Sequence, residues 1–170
     1  NFLAAATCSK LIGIKENRIL NTLKNFKGLE HRLEHVLTSE SLTYINDSKS
    51  TNIESVICAI ESFNHPIVLL LGGQNKQSDF RLLLPHIKAN KVKLVITYGE
   101  SGGHIKTVLG DAVRSELMKD LNSAVRKAHN LAAAGDTILL SPGCASFDEF
   151  NNFEQRGHFF KNYVTQINSL

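Results

Sequence analysis

The sequence predicts an α/β domain with a mostly parallel sheet covered by helices on both faces. The runs IVLLL at 67–71 and TILL at 137–140 are apolar without alternation, which is typical of strands buried on both sides of a parallel sheet. Apolar residues at helical spacing follow or precede each predicted strand, so strands and helices alternate along the chain. A predicted β-hairpin at the start of the sheet completes what we expect to be a Rossmann-like domain of three layers.

The elements follow from local patterns. Residues 1–27 predict two helices that separate at Gly13, and Gly28 is expected to end the second helix. The runs HRLEHVLTSE and SLTYIN predict the hairpin, with its turn around Ser39-Glu40. Thr51 begins a T-x-x-E pattern and is expected to cap the next helix. The remaining predicted elements are a strand at Ile67 to Leu71, a helix at Phe80 to Ala89, a strand at Val92 to Tyr98, a short helix near His104, a helix at Leu121 to Ala134, a strand at Thr137 to Ser141 and a helix from about Phe153.

Composition excludes several classes of protein. The 170 residues are 42% hydrophobic and 21% charged, which fits one globular domain. A net charge of +3 gives no argument for a nucleic-acid partner. The longest apolar runs have the length of a strand, so no membrane span is expected. Three scattered cysteines without a CxxC pair favour a reducing, cytoplasmic location.

Three polar loops follow predicted strands: residues 46–52 (NDSKSTN), 72–76 (GGQNK) and 141–146 (SPGCAS). Each alone would be an ordinary turn. Ligands of open α/β sheets bind beyond the carboxyl ends of the strands, and three such loops at one edge predict a binding site there. Lys76 supplies a cation, and the helix that begins after Thr51 offers backbone N–H groups to a carboxylate or phosphate.

Two motifs suggest other chemistry. His31 and His35 fit the HxxEH zinc pattern, which requires a helix, whereas this segment is predicted to be a strand, so a metalloprotease is disfavoured. Cys144 is close to Ser146, but a buried, inert cysteine is favoured over a nucleophile.

The chain contains no GxxxxGK[ST] phosphate loop, so an ATP enzyme would hold the triphosphate in another domain.

Four segments, GLEHRLE (28–34), INDSKSTN (45–52), LLLGGQNK (69–76) and LLSPGCASFDEFNNFEQRG (139–157), resemble the C-terminal domain of the Mur ligases, and most closely of the members that add D-glutamate. The resemblance implies residues 1–27 as the last helices of a central ATPase domain and 28–170 as the amino-acid-binding domain. It also implies a bacterial, cytoplasmic, monomeric enzyme of peptidoglycan synthesis. There, ATP, supported by Mg²⁺, would phosphorylate the carboxylate of UDP-N-acetylmuramoyl-L-alanine, and the amine of D-glutamate would then form the amide. The fragment alone is expected to be inactive.

The resemblance also implies roles for individual residues, none of them catalytic or metal-binding. The residues expected around D-glutamate are Thr51, Lys76, Ser146, Phe147 and Phe153. The residues expected to contact ATP are Asn1, Arg32, Asp47 and Lys49. Asp47 has an alternative role, which is to cap its own loop. The competing interpretations of the chain are a stand-alone module that binds a nucleotide or amino acid, and the equivalent domain of a sister Mur ligase.

Overall fold

A computed structural model describes residues 2–89 and 91–169. It confirms the predicted alternation of strands and helices. The helices are α1 (Phe2–Leu11), α2 (Glu16–Asn25), α3 (Ile53–Glu61), α4 (Leu84–Ala89), α5 (Gly102–Leu109), α6 (Leu121–Leu131) and α7 (Phe153–Ile167). The strands are β1 (Glu34–Ser39), β2 (Leu42–Asn46), β3 (Ile67–Gly72), β4 (Val92–Tyr98), β5 (Ser115–Leu117) and β6 (Thr137–Gly143). Short 3₁₀ turns lie at Phe80–Leu83 and Gly110–Ala112.

The six strands form one sheet in the order β1-β2-β6-β3-β4-β5. Only β1 is antiparallel to its neighbour, and the other strands are mutually parallel, as predicted. The edge strand β5 was not predicted. It has three residues and pairs only with Val95–Thr97 of β4, so it is too short to show a periodicity.

The core lies on both sides of the sheet, which confirms the three layers. Along β3, Ile67, Leu69 and Leu71 pack into the apolar cluster beneath α3, α4 and α5. Val68 and Leu70 point to the opposite face, into the cluster beneath α6 and α7. Every residue of β3 is buried, which explains why the strand has no polar alternation.

Two boundaries differ from the sequence prediction by one residue. The hairpin turns at Glu40 and Ser41, whose φ angles of 50° and 65° give the left-handed pair of a tight two-residue turn. The cap of α3 is Asn52, whose side chain accepts a hydrogen bond from the Ser55 backbone N–H at 2.9 Å, so the prediction that Thr51 is the cap was wrong. Asn52 is as good a cap as threonine, and it leaves the Thr51 side chain exposed.

The bounds of three other helices also differ from the predicted ones. Helix α2 ends at Asn25, and not at Gly28, because the backbone is already extended at Phe26. The predicted helix at 80–89 begins as a 3₁₀ turn and becomes α-helical at Leu84, since Pro85 has no N–H to donate to the preceding turn. Helix α6 ends at Leu131, three residues before the predicted end.

Helices α1 and α2 are present as predicted but bury none of their own residues. The ring of Phe2 in α1 contacts the ring of Phe26, the residue that follows α2, and the ring centroids are 5.4 Å apart. Leu3 and Leu11 are 82% and 81% exposed. No helix in the described part of the chain is both long and apolar enough to cross a membrane.

Candidate functional site

The three loops predicted from the strand ends meet at one edge of the sheet. We call them loop 1 (residues 46–52), loop 2 (72–76) and loop 3 (141–146). Loops 2 and 3 are joined by a pair of backbone hydrogen bonds between Gln74 and Ala145, at 2.9 and 3.0 Å. Loop 3 is joined to loop 1 by the Gly143 N–H, which donates to Ser50 O at 2.9 Å. The prediction that these loops share one edge is therefore confirmed.

A fourth loop, residues 99–101 after β4, belongs to the same edge and was missed by the sequence analysis. The Ser101 N–H donates to Gly73 O at 3.0 Å, and the Glu100 N–H donates to Asp148 Oδ2 at 3.0 Å. The signal that could have found this loop is a glycine, Gly99, directly after a buried strand, as at loop 2. Loop 2 is consequently held on two sides.

Asp47 is the most engaged side chain of loop 1. It is 3% exposed, and its Oδ1 accepts a hydrogen bond from the Leu33 N–H at 3.1 Å. Its Oδ2 accepts hydrogen bonds from the hydroxyls of Ser141, at 2.8 Å, and Ser50. Burial raises the pKa of Asp47, and the bonds from the two hydroxyls oppose that rise. The alternative role, in which Asp47 ties its own loop, is therefore present; contact with a nucleotide stays a prediction.

Arg32 and Lys49 lie on the same cavity as Asp47. The cavity has a volume of about 380 Å³ and extends along α3 from its amino-terminal end to Ser62. Arg32 is placed there by a turn in which its neighbours His31 and Leu33 have φ angles of 63° and 45°. The Lys49 N–H donates to His31 O at 3.0 Å, which holds this turn against loop 1. Two exposed cations thus border one cavity, while Asn1, the fourth predicted nucleotide contact, lies outside the described residues.

The residues predicted around D-glutamate are spread along the same edge. Thr51 and Lys76 are exposed, Phe147 is 57% exposed, and Ser146 is buried in loop 3. Lys76 Nζ lies 5.1 Å from the centre of the Phe147 ring, a cation–π distance. The structure therefore brings this predicted pair together.

Phe153 connects the two predicted sets. Lys49 Nζ lies 4.4 Å from the centre of the Phe153 ring, so a predicted nucleotide contact touches a predicted glutamate contact. Phe153 is the first residue of α7 and follows loop 3. One residue of each predicted set, Lys49 for the nucleotide and Phe153 for D-glutamate, therefore meets the other beside loop 1.

Cys144 is unsuited to nucleophilic chemistry. It is 1% exposed, and burial raises the pKa of its thiol to about 12, although the nearby Arg156 charge acts to lower it. The thiol is therefore protonated at neutral pH. The expectation that Cys144 is buried is confirmed, and its lack of reactivity stays a prediction.

The histidines of the HxxEH pattern do not share a helix. His31 is in the turn beside Arg32, and His35 is in β1. A different group, Glu30, His31 and His158, brings three potential metal ligands within 4.8 Å of one another. Glu30 is already paired with Lys161.

The proton on His31 argues against a metal in this group. The Asn46 Nδ2 donates to Glu34 and to His31 Nδ1, both at 2.9 Å, while its Oδ1 accepts from the Ser48 N–H. This fixes the amide orientation and makes His31 Nδ1 an acceptor, so the neutral ring carries its proton on Nε2. His31 Nε2, which lies 3.9 Å from a carboxylate oxygen of Glu30, is then a donor, and it would have to lose this proton to bind a metal.

Comparison with known proteins identifies a matching family. The family model described as "Mur ligase, glutamate ligase domain" matches residues 31–144. The chain is 42% identical, over 98% of its length, to a UDP-N-acetylmuramoylalanine–D-glutamate ligase of Pelotomaculum thermopropionicum, and 44% identical, over 98%, to one of Alkaliphilus metalliredigens. It spans 37% of the length of each relative.

Solved structures share the fold at low identity. A UDP-N-acetylmuramate-alanine ligase of Thermotoga maritima superposes with a TM-score of 0.70 at 13% identity, over 99% of this chain and 37% of that one. A bifunctional folylpolyglutamate synthase/dihydrofolate synthase of Yersinia pestis, solved with AMPPNP and Mn, gives 0.62 at 14% identity, over 88% and 35%. These likenesses show the three-layer fold.

Proposed function

We propose, from the premise that this chain belongs to the Mur ligase family, that it is the D-glutamate-binding and nucleotide-contacting domain of an ATP-dependent ligase. The whole enzyme would add D-glutamate to UDP-N-acetylmuramoyl-L-alanine in bacterial peptidoglycan synthesis. The observation that carries the proposal is the meeting of loops 1, 2 and 3 at one sheet edge, where Arg32, Lys49 and Lys76 are exposed.

The charges at this edge suit the proposed ligands. D-glutamate brings two carboxylates and ATP brings a triphosphate, so both need cations and N–H donors. Lys76 stands at the end of β3, and Thr51 stands at the amino-terminal end of α3, where backbone N–H groups favour an anion. Arg32 and Lys49 border the cavity beside loop 1 and are proposed to face the nucleotide.

The chain's part in the reaction is binding and orientation. Transfer of the γ-phosphoryl group of ATP to the carboxylate of UDP-N-acetylmuramoyl-L-alanine would give an acyl phosphate and ADP. The amine of D-glutamate then attacks the acyl carbon, the C–N bond forms, phosphate leaves and the nitrogen loses a proton. Lys76, Thr51 and Ser146 would hold the carboxylates so that the amine faces the acyl carbon, a proximity effect of several kcal/mol.

Mg²⁺ is expected for the phosphoryl step of this family, but the candidate ligands in the described part of this chain do not suit it. Mg²⁺ prefers oxygen ligands in an octahedron. The group of potential ligands found in the described residues, Glu30, His31 and His158, has two ring nitrogens and a carboxylate that Lys161 occupies. We assign no step to a metal held by this chain.

Residues 1–27 are proposed to belong to the adjoining ATPase domain, and residues 28–170 to the amino-acid-binding domain. The support is that α1 and α2 bury none of their own residues and expose Leu3 and Leu11 almost fully. Helices that expose large apolar side chains in this way are expected to be covered by another surface. The proposal includes a monomeric enzyme in the bacterial cytoplasm, where the three unpaired cysteines would stay reduced.

The test is phosphate release by the full-length protein that contains this chain, with ATP, Mg²⁺ and UDP-N-acetylmuramoyl-L-alanine. We expect release that depends on D-glutamate and is not supported by L-glutamate, L-alanine or L-lysine. Turnover with a different amino acid would identify a sister ligase. Nucleotide or amino-acid binding without turnover would favour a binding module and overturn the proposal.

A further inference from the structure

Arg156, in the first turns of α7, has a side chain that is only 1% exposed and lies among the largest fully buried side chains of the described chain. A buried guanidinium is uncommon, since burying a charge requires strong compensating contacts. Neither the sequence motifs nor the proposed function gives Arg156 a role. It lies directly beneath the edge formed by the loops.

The guanidinium joins loop 1 to loop 3. Its Nε donates to Ser48 Oγ at 3.0 Å and its Nη2 donates to Ser48 O at 2.8 Å. Its Nη1 donates to Cys144 O at 3.1 Å. Ser48 Oγ in turn donates to Phe153 O at 2.8 Å, which ties loop 1 to the start of α7. The rigid planar fork of arginine fits this set, because one group reaches two loops at once.

Loop 2 also lies against the guanidinium. A Cβ atom on Gly73 would be 3.3 Å from Arg156 Nη1 and 2.4 Å from Ala145 O. Gly73 has a φ of 121°, which favours glycine, and its missing side chain lets loop 2 approach the arginine. All three ligand loops therefore meet around one side chain.

The charge of Arg156 is not neutralised by its hydrogen-bond partners, which are a hydroxyl and two carbonyl oxygens. Among the ion pairs in the described part of the chain, none includes Arg156. A positive charge in a buried place is weakly screened. It acts on the carboxyl of Glu149, where it opposes the rise in pKa that burial causes.

We propose that Arg156 is a positioning residue, which holds loops 1 and 3 in the arrangement that binds D-glutamate and ATP together. This inference rests on the proposed function. Loop 1 carries Asp47, Lys49 and Thr51, and loop 3 carries Ser146, so displacement of either loop affects both ligands. The affinities for the amino acid and the nucleotide are thereby coupled through one side chain that touches neither.

The test is Arg156→Lys in the full-length ligase. Lysine keeps the charge but has a single ammonium group in place of the fork, so it cannot bond Ser48 and Cys144 in the same geometry. We expect the KM for D-glutamate and the KM for ATP to rise together, each at least about tenfold, an effect of about 1.4 kcal/mol on binding. Arg126→Lys, the same exchange at an exposed position of α6, should change neither.

The assays are run at a temperature where each variant is fully folded. If Arg156 only stabilised the fold, its substitution would lower the melting temperature and leave both KM values unchanged. That result, or a rise in one KM only, overturns the inference. If Arg156→Lys does not fold, Ser48→Ala removes the acceptor of Nε and keeps Arg156; it should raise both KM values at least about threefold, and unchanged values again overturn the inference. A wild-type enzyme without D-glutamate-dependent turnover would refute the proposed function itself.

Discussion

Replacing Lys76 by alanine in the full-length ligase should weaken D-glutamate recognition selectively. The side chain follows β3 and two glycines, and its ammonium is exposed at the ligand edge. A carboxylate three residues further along, Asp79, could compete for this charge. In the structure, however, the Arg81 guanidinium donates two hydrogen bonds of 2.8 Å to the Asp79 carboxylate. The Lys76 charge therefore stays available for a ligand.

The size of the effect follows from what the lysine touches. Its contact with the Phe147 ring is exposed and contributes about 0.5–1 kcal/mol to stability, so the melting temperature should change little. Truncating one partner of a partly desolvated ammonium–carboxylate pair is expected to weaken binding by roughly 2–5 kcal/mol. The lower figure corresponds to about a thirtyfold loss in kcat/KM for D-glutamate.

Initial rates of phosphate release against D-glutamate concentration, at saturating ATP, measure this loss. Lys88→Ala is the matched control, because Lys88 is an exposed lysine in α4, away from the ligand loops. The KM for ATP should stay within about a factor of two in both variants, since the proposed nucleotide contacts are on loop 1 and the Arg32 turn. If Lys76→Ala kept its D-glutamate kinetics within a factor of about three, Lys76 would be an ordinary surface lysine and the placement of the substrate would be wrong.

Three further outcomes are expected. Asp47→Ala should lower the free energy of unfolding, measured by urea unfolding, by about 2–4 kcal/mol, because it leaves one partly buried N–H and two buried hydroxyls without their acceptor. The free energy of unfolding should fall as pH drops below about 6.5, because burial lowers the pKa of His31 below its unfolded value and protonation then favours the unfolded chain. The change in this free energy per pH unit should be smaller in His31→Asn. Iodoacetamide should label Cys8 and Cys58 in the folded protein while Cys144 reacts only after unfolding.

These outcomes have separate controls. Asp47→Asn keeps the shape and one acceptor, so it should lose less stability than Asp47→Ala. An equal loss would show that the remaining acceptor contributes nothing, and an unchanged stability in Asp47→Ala would contradict the prediction. His35→Asn tests whether any histidine near the hairpin gives the same pH slope. The charged and ionisable side chains that act on His31 electrostatically are Glu30, Glu34, His158 and Lys161. Rapid labelling of Cys144 in the folded state would contradict its burial.

The layers of the fold could be predicted because burial on both faces leaves a direct mark in sequence. The runs at 67–71 and 137–140 have no polar residue to alternate with, and the structure divides β3 between the two cores. The edge strand β5 could not be predicted, since three residues carry no period. The choice of Asn52 over Thr51 as cap depends on where the backbone leaves loop 1, and both residue types are strong caps.

The loops of the candidate site could be predicted because strand ends are visible in sequence. The contacts that hold the loops together could not, because they join distant residues. Ser48 and Arg156 are 108 residues apart, and nothing local to either marks the other. The fourth loop carries a local mark, Gly99 after a buried strand, but the bond that joins it to loop 2, from Ser101 to Gly73, again links distant residues.

Gly157 shows how a position that weakens its own helix can be required by its surroundings. Glycine inside a helix costs about 1 kcal/mol relative to alanine, and from sequence alone it looks like a defect in α7. In the structure, a Cβ atom at Gly157 would lie 2.2 Å from His31 Nδ1, closer than any side chain can stand. The bare helix surface thus lets His31 pack against α7, and the His31 carbonyl receives the Lys49 N–H of loop 1. Arg156 and Gly157 therefore act side by side: one reaches into loops 1 and 3, and the other makes room for the turn that presents Arg32.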